Sequence, residues 1–136
     1  MTLFISPNHT RRAVRSALGY TLAAAGTAVF GAVYERFSHE VYSPFMLYAF
    51  LIPLLLGAVP YLVAAKRCVR MPPRRAAEAY SGAVLLLTLG SVMKGVLDIY
   101  GTTNRLLMLY PVCASALLIL AAVLFAAGRR KAKNPA

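Results

Sequence analysis

The stretch from Leu106 to Ala127 reads LLMLYPVCASALLILAAVLFAA, and no charged side chain interrupts it. A helix of that length, rising about 1.5 Å per residue, covers the ~30 Å hydrocarbon core of a bilayer. A barrel strand would alternate apolar and polar residues, and this run is apolar all round. Working outward, three further stretches have the same character: Ala13 to Tyr34, Pro44 to Ala65 and Ala76 to Tyr100. The third carries Lys94 and Asp98 near its end, which makes that end the least regular. Of the 136 residues 60% are hydrophobic and only 14% charged, too few to coat a soluble globule of this size. The sequence therefore predicts an all-α integral membrane protein, a four-transmembrane-helix bundle forming a single domain over residues 1–136.

The charges fall in clumps between the apolar runs. Arg11, Arg12 and Arg15 precede the first, and Lys66, Arg67, Arg70, Arg74 and Arg75 separate the second from the third. Arg129, Arg130, Lys131 and Lys133 follow the fourth, so twelve of the fifteen basic residues fall on one side of the expected membrane. Arg36, Lys94 and Arg105 fall on the other. Lysines and arginines hold loops on the cytoplasmic side, so both termini and the central loop are expected inside. Short loops and the lack of an organelle address suggest a plasma (inner) membrane. A net charge of +11 would suggest nucleic acid as the partner of a soluble protein. Here topology accounts for it, and the expected partners are the bilayer and anionic lipid headgroups at the cytoplasmic face.

The first run, with arginines before it and Ala23-Ala24-Ala25 inside it, superficially matches a signal peptide. It continues to Val33, beyond a usual apolar region, and is expected to be retained. Cys68 and Cys113 should sit at opposite ends of the bundle, about 20 Å or more apart and beyond disulfide reach.

A shift of 63 residues places Arg11-Arg12-Ala13 on Arg74-Arg75-Ala76, Glu35 on Asp98 and Phe37 on Tyr100. A shift of 62 places Met46-Leu47-Tyr48 on Met108-Leu109-Tyr110 and Arg67 on Arg129. These landmarks suggest a parallel duplication of a helical hairpin, with repeats over about residues 11–67 and 74–130. Ala24, Ala28 and Ala32 form a small-residue stripe on which another helix could pack closely. Pro53 and Pro60 remove backbone donors from the second run and are expected to disturb it, whereas Pro111 stands near a helix start, where the loss costs less.

Polar groups at membrane depth are the default functional candidates, and the central layers hold only hydroxyls: Thr21, Thr27, Thr88, Ser91 and Ser115. Each can bond back to its own helix. The opposite, outer end is richer. Glu35, Arg36, His39, Lys94 and Asp98 are the ligand-binding or gating candidates, with Lys94 and Asp98 spaced to pair on one helix face. The plainer reading of the same residues is an interfacial belt, with Lys94 snorkelling outward. His39 in the outer loop has the chemistry of a proton switch, although an isolated loop histidine is more often neither a switch nor a metal ligand.

No paired-cysteine motif, facing histidine pair, nucleophile–base constellation or phosphate-cradling loop is present, so neither a cofactor, a metal nor soluble-type catalysis is expected. Two expectations remain. One is a transporter or channel subunit, homo-oligomeric because four short helices enclose little space. The other is an accessory subunit that anchors or stabilises a partner such as a transporter or redox module, through surfaces such as the alanines of the last run.

Overall fold

A computed structural model describes residues 7–39, 41–67 and 69–134. Glu40 and Cys68 lie outside the described residues. Among the described residues the chain is helical: α1 (Pro7–Phe37), a single-turn α2 (Pro44–Leu47), a π-helical turn (Pro53–Ala58), α3 (Val59–Lys66), α4 (Arg74–Ile99), a 3₁₀ turn (Arg105–Met108) and α5 (Leu109–Lys133). Three spans are long and apolar enough to cross a membrane: Asn8–Phe37, Arg74–Ile99 and Arg105–Lys131.

The second apolar run departs from the expected single helix. It turns at Tyr48 to Phe50, resumes at Leu51, widens into the π turn at Pro53 and regains α-helical geometry at Val59. The prolines account for the irregularity. Pro53 opens the π turn, and Pro60 has no N–H to offer the Leu56 carbonyl four residues back. That carbonyl instead accepts a 2.5 Å hydrogen bond from the Tyr80 hydroxyl on α4. Near the run's start, the Phe45 carbonyl accepts from Ser91 on α4 at 2.8 Å. A backbone break inside an apolar bundle is tolerated only where neighbours satisfy the freed groups, and here α4 supplies both donors.

The broken run still returns the chain from one end of the bundle to the other. At one end Met46 lies between Gly31 of α1 and Gly95 of α4. At the other, Met71 shares a cleft lining with Arg12 of α1 and Arg74 of α4. α5 returns in the same sense, with Gly90 against Tyr110 and Gly128 against Pro73. The arginine-rich ends of α1, α4 and α5 thus gather at one end of the bundle, called below the basic end.

Small residues dominate the packing. Among the described residues nine of the twelve buried hydrophobic ones are alanines, so the helices meet by close backbone approach rather than through bulky side chains. On α1 the buried positions are Ala13, Ala17, Ala24 and Gly31. Their spacing of four and seven follows a coiled-coil seam, not the four-residue stripe, and Ala32 at the end of that stripe faces outward. α5 packs on α4 through Ala114 and Ala121, again seven apart, while Ala116, Ala122 and Ala126 stay exposed. Leu22, Val112 and Ile119 likewise point outward, as lipid-facing residues do.

The positions aligned by the internal shift have different surroundings. Met46 is 2% exposed in its glycine clasp, whereas Met108 is 71% exposed. The first hairpin has a broken second leg and the second hairpin a continuous one.

Candidate functional site

At the end opposite the arginines, Lys94 Nζ lies 2.5 Å from Asp98 Oδ1, one helical turn away on α4. The pair is only partly exposed, 36% for the lysine side chain and 26% for the aspartate. The ammonium also sits 5.3 Å from the centroid of the Phe45 ring, within range of a cation–π contact. The Lys94 head is therefore engaged by two partners, one of them Asp98 a turn farther from the basic end. Asp98 Oδ2 accepts a 3.4 Å hydrogen bond from Ser43, which is 1% exposed. Ser43 stands at the N-cap of α2 but makes no capping bond there, its hydroxyl being turned to α4 instead.

This polar cluster sits over a steric wedge. A Cβ on Gly95 would come within 2.8 Å of Met46 Cβ and 2.9 Å of its backbone nitrogen, and one on Gly31 within 3.3 Å of its carbonyl oxygen. Two glycines on parallel helices thus admit the backbone of the α2 turn between them. Glu35 stands one turn beyond Gly31 on α1, as Asp98 stands one turn beyond Gly95 on α4. The two acids therefore flank the turn that begins at Ser43. Glu35 Oε1 is occluded from solvent and without a hydrogen-bond partner among the described residues.

The other two sequence candidates do not join this cluster. Arg36 and His39 are exposed, and neither makes a hydrogen bond or ion pair among the described residues. His39 has φ +50°, in the left-handed region, and ends α1 as a helix-stopping residue. No three His, Cys, Asp or Glu side chains come together among the described residues in a way that could hold a metal. Of the five candidates the structure joins Lys94 and Asp98 directly, sets Glu35 across the wedge and leaves Arg36 and His39 at the rim.

A larger space lies elsewhere in the bundle. A cleft of about 990 Å³ separates α1 from α4, open on the side away from the broken run. Its α1 wall is Arg12, Ser16, Gly19, Ala23, Gly26, Thr27 and Phe30. Its α4 wall runs from Arg74 and Glu78 past Ser81, Leu85 and Thr88 to Val92. Pro53 and Tyr61 form the floor with Tyr20. Tyr20 covers the backbone of Gly57, where a Cβ would come within 2.1 Å of its ring, and stacks on Tyr61 with centroids 5.6 Å apart. Its hydroxyl shares a 2.6 Å hydrogen bond with Ser81, joining the two walls.

Inside the cleft polar groups are few and mostly spent. Thr27 donates to the Ala23 carbonyl and Thr88 to that of Val84, the back-bonding expected of membrane hydroxyls. Ser91 departs from that expectation, since its hydroxyl crosses to Phe45. Charge is confined to the basic end, where Arg74 pairs with Glu78 at 2.8 Å and Arg12 has no ion pair among the described residues. A smaller groove of about 340 Å³, wholly apolar but for Tyr61 and Tyr80, lies between α3 and α5.

The α1 wall was missed in the sequence although its signal is there. Arg12, Ser16, Gly19, Ala23, Gly26 and Phe30 recur at alternating intervals of four and three, one helical stripe of small and polar residues beside the alanine seam. No protein-family model, curated protein or solved structure matches this chain.

Proposed function

We propose that this chain is a small membrane transport subunit in which the cleft between α1 and α4 is the solute-binding space, closed at its outer end by the Met46 wedge and the Lys94–Asp98–Ser43 cluster above it. The observation that carries the reading is the cleft itself: about 990 Å³ within one chain, charged at one end and mostly apolar along the rest. Ligand sites are concave and mostly apolar, with few polar groups fixing orientation, and lie between the helices of bundles. The distribution of arginines and lysines supports a cytoplasmic position for the basic end. With the broken run counted as a crossing, the chain passes four times and both termini are cytoplasmic. Space within one chain removes the need for a pathway between copies, so a homo-oligomer is compatible with this function but not required by it.

The test is thiol labelling in native membranes, with Cys68 and Cys113 replaced by serine. Ala23→Cys and Thr27→Cys line the cleft, whereas Leu22→Cys points outward from α1 at similar depth. A small water-soluble thiol reagent is expected to modify the first two and spare the third. Equal protection of all three would reject the cleft as a solute space.

A second reading, an accessory subunit, is supported by the small residues on the α1 wall. Nothing lies within 4 Å of a Cβ placed on Gly19 or Gly26, and such a surface admits a partner's helix closely. Native mass spectrometry after gentle extraction separates the two: a stoichiometric unrelated protein favours this reading, and the chain alone or as a multiple of itself favours transport.

A further inference from the structure

We infer that the cleft takes a single-chain amphiphile with a phosphate head, drawn from the cytoplasmic leaflet, with the head at Arg12 and the acyl chain laid toward Phe30; this rests on the reading of the cleft as a solute space. The polarity of the cleft runs one way only. Arg12, Arg74 and Glu78 stand at the basic end, and the far end closes on Phe30 and Val92. Arg74 and Glu78 neutralise each other, so Arg12 leaves the mouth with a net positive charge. Guanidinium is the side chain best suited to phosphate, which it meets with two parallel N–H donors. Arg12 is exposed, so no folded contact must be broken to engage an anion.

Eighteen residues separate Arg12 from Phe30, about 27 Å of helix, so the cleft is longer than the ~15 Å, half of the hydrocarbon core, that one leaflet's chains span. Tyr20 and Ser81 tie the walls together at 2.6 Å on the floor, which keeps the cleft narrow. Gly19 and Gly26 present bare backbone to the open space. The open side admits an amphiphile laterally, with the arginines at headgroup depth and the tail already in hydrocarbon. A freely soluble polar solute would meet a mostly apolar wall with its hydroxyls turned back on their own helix.

The experiment uses the full-length chain carrying Thr27→Cys, without its native thiols, in nanodiscs of neutral phosphatidylcholine. Labelling of Thr27→Cys is followed while oleoyl lysophosphatidate or, separately, monooleoylglycerol is titrated in. Lysophosphatidate is expected to protect the thiol at lower concentration than the neutral amphiphile. Arg12→Gln is expected to raise the protecting concentration of lysophosphatidate roughly tenfold, the worth of one charge-assisted hydrogen bond, and to leave monooleoylglycerol unchanged. Arg12→Lys should recover part of the difference. Equal protection by both amphiphiles, or no response to Arg12→Gln, overturns the phosphate assignment and leaves the cleft standing. Ready labelling that neither amphiphile blocks overturns the amphiphile itself. Labelling no faster than at Leu22→Cys instead overturns the solute space on which the inference rests.

Discussion

Replacing Gly95 by alanine probes the wedge that holds α1 and α4 at the ends opposite the arginines. The added methyl would stand 2.8 Å from Met46 Cβ, 2.9 Å from its nitrogen and 3.0 Å from its Cα. Two of these three atoms are backbone, so no flexible side-chain tip can move aside, and the whole α2 turn must shift. Overpacking of this kind costs about 1–3 kcal/mol, and the rigid neighbours place Gly95→Ala near the upper end. Alanine recovers about 1 kcal/mol of helix propensity in α4, leaving a net loss of about 2 kcal/mol. For a chain of this length that corresponds to a melting temperature lower by roughly 8 °C. Gly19→Ala is the matched control: nothing lies within 4 Å of its added methyl, so only the propensity gain remains. Thermal unfolding of both variants in the same detergent should separate them by roughly 12 °C, Gly95→Ala being the less stable. Equal melting temperatures would refute the claim that the Met46 backbone is seated against Gly95.

Three further outcomes follow from the hydrogen bonds and the ion pair. Tyr20→Phe and Ser81→Ala each remove the same 2.6 Å bond, so each should cost about 1 kcal/mol and the double variant little more, a coupling measurable in a thermal double-mutant cycle. Tyr80→Phe should cost about 1 kcal/mol by leaving the Leu56 carbonyl unsatisfied; in a Pro60→Ala background the restored N–H should make the same change cheaper, again by thermal unfolding. Asp98→Asn should free the Lys94 ammonium from its 2.5 Å partner, and peptide mapping after an amine-reactive reagent should show Lys94 modified faster than in the parent chain.

Most of the helical architecture was legible because apolar length alone sets it. The runs that became α1, α4 and α5 contain long windows rich in aliphatic residues, and bilayer thickness decides between helix and anything shorter. The second run has comparable hydrophobicity but breaks, and Pro53 and Pro60 announced that something would yield there. What they could not announce was the remedy. The donors that make the break tolerable, Tyr80 and Ser91, come from a helix more than twenty residues away in sequence. The Lys94–Asp98 pair was legible because both members share one helix face, while its third partner, Ser43, is 55 residues from Asp98. Local spacing shows contacts along a helix; it does not show which distant turn will be inserted beside it.

The cleft escaped the sequence for a different reason. Small residues on a membrane helix ordinarily signal close approach, and Gly19, Ala23, Gly26, Ala77 and Ser81 invite the inference that α1 and α4 touch. Apart from the Tyr20–Ser81 hydrogen bond they do not, because the broken run stands between the two helices. At the end opposite the arginines the Met46 backbone fills the gap between Gly31 and Gly95, and nearer the basic end the Tyr20 ring lies over Gly57 and stacks on Tyr61. Between these supports the small residues face one another across a space instead of meeting. A straight second helix could not present a single turn end-on to both glycines at one end and a flat aromatic floor at the other. The proline-driven break and the cleft are thus parts of one arrangement: the irregular segment sets the separation of α1 and α4, and small side chains on their facing walls turn that separation into usable volume.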